Sequence, residues 1–234
     1  MSRRDNVAAR CRQCRMHDSL CVCALIPRLE TRTRLVLVIH RDEERKPTNS
    51  GQLAARCLPN SEIYVRGVAN QPPPRFTSDP ARQPLLLFPS DDAIPIASFA
   101  RSPRPVTLIV PDGTWRQAGK VPQRMPGLRD LPRVSLPPGA PTIYRLRAEA
   151  PGARLATLEA IARALGILEG DAVREALERL FRVMVERTLW LRGALRSDQV
   201  TGEIPERARL EDPRGGPAGA HSRPRRPPLA VRTR

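Results

Sequence analysis

The chain has 234 residues and a formal net charge of +16, with 40 basic residues against 24 acidic ones. That length fits one domain with extensions or one domain with a small module, and an aromatic content of 3% means that the core is aliphatic. No apolar run reaches about 18 residues, the length of a membrane span, and the N-terminus leads into no apolar signal segment, so we expect a cytoplasmic protein with reduced thiols. The excess of positive charge favours a nucleic acid partner over a protein that is merely soluble and basic, because each neutralised phosphate releases counterions.

The first feature along the chain is a cluster of cysteines. Four of the five cysteines lie close together with the spacing Cys-x2-Cys-x6-Cys-x-Cys, namely Cys11, Cys14, Cys21 and Cys23. Such a cluster in a reducing compartment is typical of a tetrahedral Zn²⁺ site, and redox-active thiols or unrelated cysteines are the alternatives. Arg12 and Arg15 flank the cysteines, so we predict a basic zinc knuckle within residues 1–30 that contacts RNA.

Apolar runs and apolar periodicity then predict the secondary structure. Continuous apolar runs predict strands at 35–39, 63–65, 85–88, 106–110 and 131–136. Helices are predicted at 52–58, from about 114 to 121, from 153 to 168, and from Asp171 to Leu191. Alternating strands and helices indicate an α/β fold with a mostly parallel sheet, in which ligands bind beyond the carboxyl ends of the strands.

Apolar periodicity ends at about Thr201. Residues 214–234 contain six arginines and no acidic residue, with proline and glycine between them. This composition predicts a disordered basic tail over residues 201–234, which either binds a polyanion or is a dispensable extension.

Three loops that follow predicted strands carry polar side chains that folding alone does not require. In chain order these residues are His40, Glu43 and Asn49; Asp112, Gly113, Thr114 and Trp115; and Pro138, Tyr144, Arg145 and Arg147, followed by Thr157 and Glu159 at the next helix. Structural alternatives exist, since Asp112 or Thr114 suits a helix N-cap and Glu159 is a favourable charge near a helix N-terminus. No dinucleotide fingerprint, P-loop, Ser-His-Asp order or metallohydrolase helix is present, which excludes NTPases and common hydrolases.

Taken together, these residues resemble the DTW-domain family of tRNA-uridine aminocarboxypropyltransferases. The resemblance runs from Cys11 to about Gly170 and has its signature in Asp112-x-Thr114-Trp115. It also covers Cys-Val-Cys at 21–23, His40 with Glu43, Thr48-Asn49-Ser50, Leu136-Pro137-Pro138-Gly139, Tyr144-x-Leu146-Arg147 and Thr157-x-Glu159-Ala160. Arg41 and Ala156 depart from the family pattern, which often has Pro after the His and Ser before the Thr.

The resemblance implies a reaction and a fold. The implied reaction transfers the 3-amino-3-carboxypropyl group of S-adenosylmethionine to N3 of a uridine in tRNA and releases methylthioadenosine. The implied fold is α/β with a SPOUT-like, knotted cofactor site. We accordingly expect a zinc knuckle at 1–30, a catalytic domain at 31–200 and the basic tail at 201–234. The sequence leaves the oligomeric state open and favours a monomer slightly.

The resemblance also implies roles for individual residues. The expected catalytic residues are Asp112, whose carboxylate would face uridine N3, Thr114, and Trp115, which would stack on a base or pack in the core. The expected cofactor-binding residues are Leu86, Pro89, Pro111, Gly113, Leu136, Pro138, Tyr144, Arg145, Arg147, Thr157 and Glu159. The expected RNA contacts are Arg12, Arg15, His40, Glu43 and Asn49.

Two other functions fit parts of the same pattern. An RNA methyltransferase that uses S-adenosylmethionine would present the methyl carbon from a similar pocket. A non-catalytic zinc-knuckle protein that binds RNA would account for the charge and the cysteines, but it would not require Asp112, Arg147 and Glu159 to cluster at strand ends.

Overall fold

One parallel sheet organises the molecule. The computed structural model describes residues 10–47, 49–146 and 155–210. Within them the strands are β1 (Arg34–His40), β2 (Glu62–Arg66), β3 (Gln83–Leu87), β4 (Ile94–Pro95), β5 (Val106–Asp112) and β6 (Arg133–Ser135). Their order is β2-β1-β5-β3-β6-β4, and every pairing is parallel. The parallel α/β architecture predicted from the sequence is therefore confirmed.

Helices connect and cover these strands. Those in the described residues are α1 (Arg41–Glu44), α2 (Ser50–Cys57), α3 (Trp115–Ala118), α4 (Val121–Arg124), α5 (Thr157–Glu169), α6 (Asp171–Leu191) and α7 (Glu206–Leu210). The predicted helix from 114 to 121 is divided into α3 and α4, and the one predicted from 153 begins at Thr157. The very short α1 and β4 were not predicted, because elements of four and two residues are too short to show a period.

Strands β1 and β5 separate two apolar layers. In β1, Leu35 and Leu37 face a core that also contains residues of α5 and α6, whereas Val36 and Val38 face a smaller core that contains residues of α4. Because both faces are covered, β1 and β5 consist of continuous apolar runs rather than an alternating pattern.

The cysteine-bearing segment belongs to the larger core. Met16, Leu20 and Val22 are buried there beside residues of α6. Burying side chains of this size stabilises the fold by about 1.5–3 kcal/mol each, so the knuckle is integrated with the α/β domain rather than attached as a separate arm.

The packed chain also extends beyond the predicted start of the tail. Ile204 and Ala208 are buried, and α7 packs against the 3₁₀ turn Asp18–Leu20 next to the cysteines. The prediction that the tail begins at residue 201 therefore needs correction, whereas residues 211–234 lie outside the described residues. No helix in the described part of the chain has both the length and the apolar composition to cross a membrane.

Candidate active site and metal centre

The signature aspartate ends the central strand of the sheet. Asp112 is the last residue of β5 and pairs with Ile39 of β1, and only 5% of it is exposed. Its Oδ2 accepts a hydrogen bond from Asn49 Nδ2 at 2.5 Å, and its Oδ1 accepts one from the Thr157 hydroxyl. A Cβ atom on Gly51 would lie 3.0 Å from Oδ2, so glycine lets α2 approach this carboxylate closely.

Two helices begin beside the Asp112 carboxylate. Asn49 is the N-cap of α2, where its Oδ1 accepts from Gln52 N at 2.9 Å, and Thr157 is the first residue of α5. The positive ends of both helix dipoles favour a negative charge here. From its position in the signature this carboxylate was expected to face uridine N3; in the structure its two oxygens accept hydrogen bonds from Asn49 and Thr157. Asp112 thus joins α2 and α5 to the end of β5.

Thr114 and Gly113 shape the turn that follows. Thr114 caps α3: its Oγ1 accepts from Gln117 N at 3.3 Å, and Gln117 Oε1 accepts from Thr114 N at 2.9 Å. Gly113 has a φ of +146°, and a Cβ there would lie 2.9 Å from Gln117 Oε1. This reciprocal cap is the structural alternative that the sequence offered for Thr114.

Trp115 presents its ring at the surface of this edge. It is 41% exposed, and it rests on Phe88 with ring centroids 5.6 Å apart and an angle of 51° between the planes. Phe88 directly follows β3, which neighbours β5 in the sheet. An indole ring that is partly exposed at such an edge is suited to stacking on a nucleobase.

The loops expected to hold the cofactor follow three neighbouring strands. β5, β3 and β6 are adjacent, so Gly113, Pro89 and Pro138 follow parallel strands at one edge of the sheet. Leu86 and Pro111 are buried within their strands, Leu136 is half-buried, and Pro89 and Pro138 are exposed. Leu86 packs in the smaller core, and its backbone N donates to Pro132 O at 2.9 Å within the sheet.

Glu159 has structural hydrogen bonds. Its carboxylate is buried and accepts from Thr142 Oγ1 at 2.5 Å, from Ile143 N at 2.8 Å and from Ala156 N at 2.8 Å. These bonds attach the segment before Tyr144 to the first turn of α5. The predicted cofactor ligand is thus a residue that holds one of the loops in place.

Tyr144 and Arg145 differ in exposure. The Tyr144 ring stacks on Phe181 of α6 at 5.7 Å, whereas Arg145 is exposed and lines a cavity of about 330 Å³ together with Arg182 and Glu186. Arg147 lies outside the described residues.

The loop after β1 provides further contacts at this edge. His40 caps α1, with its Nδ1 accepting from Asp42 N at 3.2 Å. Glu43 is buried and pairs with Lys46 at 2.5 Å. Both predicted RNA-contact residues therefore have partners within the chain.

Arg66 is a residue at this edge that the sequence did not reveal. It ends β2 opposite His40 and is buried, and its Nη2 donates to Gln117 O at 2.7 Å. Burial, and then the nearby Arg124, lower the pKa of Arg66. An arginine that ends an edge strand resembles an ordinary solvated side chain in the sequence, so no pattern marked it.

The four clustered cysteines form a set of ligands suited to one metal ion. Their sulfurs all lie within 4.8 Å of one another, with Cys11 and Cys23 sulfurs 3.5 Å apart and Cys14 and Cys21 sulfurs 3.6 Å apart. A tetrahedral site with metal–sulfur bonds of about 2.3 Å separates its sulfurs by about 3.8 Å, so the cluster fits Zn²⁺.

Cys57 is separate from the cluster. It is buried on α2, and burial raises the pKa of its thiol to about 12. Its burial on α2, away from the cluster, indicates that Cys57 is a small core residue and not a fifth metal ligand.

The metal centre is next to the signature site. A shallow cavity lies between the knuckle and α2, and its lining residues are Gln13, Cys14, Arg15, Lys46, Asn49, Gln52, Leu53 and Arg56. Asn49, which binds Asp112, thus shares a cavity with the predicted RNA contact Arg15. Arg12 is also exposed on the knuckle.

Comparisons with known proteins agree with the motifs. A DTW domain is matched over residues 8–189. The tRNA-uridine aminocarboxypropyltransferase 2 of Drosophila melanogaster is 29% identical over 178 residues, which cover 73% of this chain and 71% of that protein. The corresponding protein of Macaca fascicularis is 30% identical over 178 residues, covering 72% of this chain and 60% of its own length. The tRNA-uridine aminocarboxypropyltransferase A of Arabidopsis thaliana is 28% identical over 200 residues, covering 72% of this chain and 75% of its own length.

No solved structure matches this chain significantly. The domain match covers well over half of the chain and includes both the cysteine cluster and the Asp112–Trp115 signature. The family resemblance drawn from the motifs is thereby confirmed, and the chain belongs to the DTW domain family.

Proposed function

We propose that this protein transfers the 3-amino-3-carboxypropyl group of S-adenosylmethionine to N3 of a uridine in tRNA and releases methylthioadenosine. The observation that carries the proposal is the position of the DTW signature. It lies at the carboxyl end of the central strand, where Asp112 draws two helix N-termini together beside an exposed Trp115. Relatives that match most of this chain are named as tRNA-uridine aminocarboxypropyltransferases, which supports the same assignment.

The cofactor site in this proposal lies at the ends of β3, β5 and β6. Loops after neighbouring parallel strands converge at one edge of a sheet, which is where α/β proteins bind their ligands. Backbone groups near Pro89, Gly113 and Pro138 would surround the adenosine. A SPOUT-like, knotted path of the chain is part of this proposal.

The reaction requires two changes in bonding. Uridine N3 attacks the γ-carbon of the amino-acid chain, an N–C bond forms, and the C–S bond breaks with its electron pair returning to sulfur. The sulfonium becomes a neutral thioether, so the leaving group needs no further activation. The uridine N3 must also lose its proton, and that proton passes to water or to a basic group near the substrate.

Asp112 is a positioning residue in this mechanism. Its buried carboxylate has a donor on each oxygen, and it aligns the N-terminal ends of α2 and α5 with the end of β5. Because each oxygen already accepts a hydrogen bond from the chain, we assign Asp112 to positioning and leave the removal of the N3 proton to another group.

Trp115 is the residue that we assign to the nucleobase. Its ring is 41% exposed and Phe88 supports it, so one face can stack on the uracil or the adenine.

Arg145 is the residue that we assign to the carboxylate of the transferred group. It lines a cavity that also contains Arg182, and a guanidinium binds a carboxylate through two parallel hydrogen bonds. Arg147, two residues further along, remains a candidate for the same role.

The tRNA backbone would follow the cavity between the knuckle and α2. Arg15, Lys46 and Arg56 line it, and it leads to Asn49 beside Asp112. Cations along such a path bind phosphates and position the RNA without reading its sequence.

Zn²⁺ would be held by the four clustered cysteines. Bound there, the ion would supply structural cross-linking of the knuckle. The surrounding core residues Met16, Leu20 and Val22 would keep the knuckle against the α/β domain.

The proposal is tested by analysing the products. Purified protein is incubated with S-adenosylmethionine and unmodified tRNA, after which the nucleosides and the adenosine by-product are identified by mass spectrometry. We expect aminocarboxypropyluridine and methylthioadenosine. A methylated nucleoside with S-adenosylhomocysteine would instead identify a methyltransferase, and tRNA binding without any change in the nucleosides would identify a non-catalytic binding protein.

A further inference from the structure

One buried arginine of the C-terminal helix has no acidic partner. Arg187 of α6 is 5% exposed, and no carboxylate in the described residues forms an ion pair with it. Its Nη1 donates to Cys21 O at 3.0 Å, its Nη2 donates to Gly202 O at 3.2 Å, and its Nε has no acceptor. A buried cation that only neutral carbonyls balance is unfavourable, so an anion is expected nearby.

A source of negative charge on the knuckle side of Arg187 is the cysteine cluster. The Arg187 guanidinium donates to the backbone of Cys21, one of the four clustered cysteines whose sulfurs lie within 4.8 Å of one another. Four thiolates around one divalent ion carry a net charge of about −2, which the knuckle must hold next to the core. Arg187 therefore needs a nearby negative charge, and a metal centre with a net charge of about −2 needs a nearby positive charge.

We propose that Arg187 is the counter-cation of the four-cysteine metal centre and that it couples metal binding to the docking of the C-terminal segment. The proposal rests on the metal centre and not on the proposed transfer reaction, so a failed activity assay would leave it intact.

The contacts of Arg187 explain how this coupling reaches other elements. Its guanidinium joins the knuckle, through Cys21, to the segment at Gly202. That segment leads into α7, which packs on the turn Asp18–Leu20 of the knuckle. Loss of the metal would remove the negative charge that balances Arg187, and the docking of residues 200–210 would weaken with it.

The first test measures metal affinity in the full-length chain. Zn²⁺ affinity is determined by competition with a chromogenic chelator for the wild type, Arg187→Met, Arg187→Lys and the matched control Arg179→Met. Arg179 is an exposed residue of the same helix. We expect Arg187→Met to lower the affinity by roughly 10- to 100-fold, as for other outer-shell partners of metal ligands. Arg187→Lys retains the positive charge, so its Zn²⁺ affinity should fall by less. The Zn²⁺ affinity of Arg179→Met should equal that of the wild type.

Stability with and without metal separates a counter-charge from a simple connector. With Zn²⁺ bound, Arg187→Met should unfold at a lower temperature than the wild type. After chelation the difference should disappear or change sign, because the substitution then removes an unbalanced buried cation. Equal destabilisation in both states, with unchanged Zn²⁺ affinity, would overturn the proposal.

A third measurement needs no variant. Hydrogen exchange of the wild-type chain is compared before and after removal of Zn²⁺ by a chelator. We expect faster exchange at the end of α6 and in residues 200–210 as well as in the knuckle. A change confined to residues 10–26 would contradict the coupling.

Discussion

At the residue scale, the Asp112 carboxylate is the centre of the candidate active site. It brings together Asn49, which is 63 positions away in sequence, and Thr157, which is 45 positions away. The motifs marked both residues as candidate site residues but not as partners of Asp112, because a hydrogen bond between distant residues leaves no periodic signal. The sequence therefore indicated where the site lies but not how Asp112 is bound.

This arrangement predicts the effect of removing one donor. Thr157→Val leaves a buried carboxylate oxygen without its donor, so it should lower the free energy of unfolding by about 1–3 kcal/mol and reduce turnover. Thr157→Ser retains a hydroxyl and serves as the matched control. Denaturant unfolding and initial rates measure the two effects. The contrary result would be a fully active Thr157→Val together with an Asp112→Asn that is as stable as the wild type but inactive. Asp112 would then be acting directly as a base.

For Trp115 we predict a loss of substrate binding with little loss of stability. Because Trp115 is 41% exposed and lies in no core cluster of the described residues, Trp115→Ala should change the unfolding free energy by less than about 1 kcal/mol. Loss of stacking should weaken substrate binding by about 1–3 kcal/mol, and Trp115→Phe should retain most of the affinity. Equilibrium binding of tRNA and of S-adenosylmethionine shows which base stacks there. A large loss of stability with unchanged binding of both ligands would assign Trp115 to the core instead.

At the element scale, the strands and long helices could be predicted because their apolar patterns are long and regular. The continuous runs in β1 and β5 and the spacing along α5 and α6 are of this kind. The predicted tail start was wrong because this segment buries very few apolar side chains, Ile204 before α7 and Ala208 within it. Two such residues are too few to show a period in the sequence. The burial of Arg66 and Arg187 follows from packing between distant elements and has no sequence signature.

Glu159 provides a prediction at this scale, since it connects a loop to α5. Glu159→Ala leaves the hydroxyl of Thr142 and the amides of Ile143 and Ala156 without their acceptor. Each unsatisfied buried donor costs about 1–3 kcal/mol, so the variant should be strongly destabilised, and the displaced loop should raise the KM for S-adenosylmethionine through Arg145.

Thermal unfolding and steady-state kinetics measure these effects. Glu175→Ala, at an exposed position of α6, is the control. A Glu159→Ala protein with unchanged stability that had lost only cofactor binding would instead make Glu159 a direct ligand.

At the scale of the whole molecule, the net charge of +16 is the main property that favours an RNA partner. Part of it lies in residues 214–234, with six arginines and no acidic residue. Because Ile204 and Ala208 are buried, a truncation that tests this segment should follow Leu210 and not residue 200.

Truncation after Leu210 should leave the unfolding temperature unchanged and weaken tRNA binding. It should also flatten the dependence of affinity on salt, because the slope decreases by roughly 0.7–0.9 for each phosphate contact that is lost. Binding measured over a series of salt concentrations gives this slope. An unchanged slope would show that residues 211–234 take no part in tRNA binding.

The fate of labelled S-adenosylmethionine tests the central claim most directly. The protein is incubated with unmodified tRNA and with cofactor labelled either in the carboxyl carbon of its amino-acid part or in its methyl group. We expect the carboxyl label to enter tRNA and the methyl label to be recovered in methylthioadenosine. Methyl label in tRNA, with the carboxyl label remaining in S-adenosylhomocysteine, would contradict this expectation.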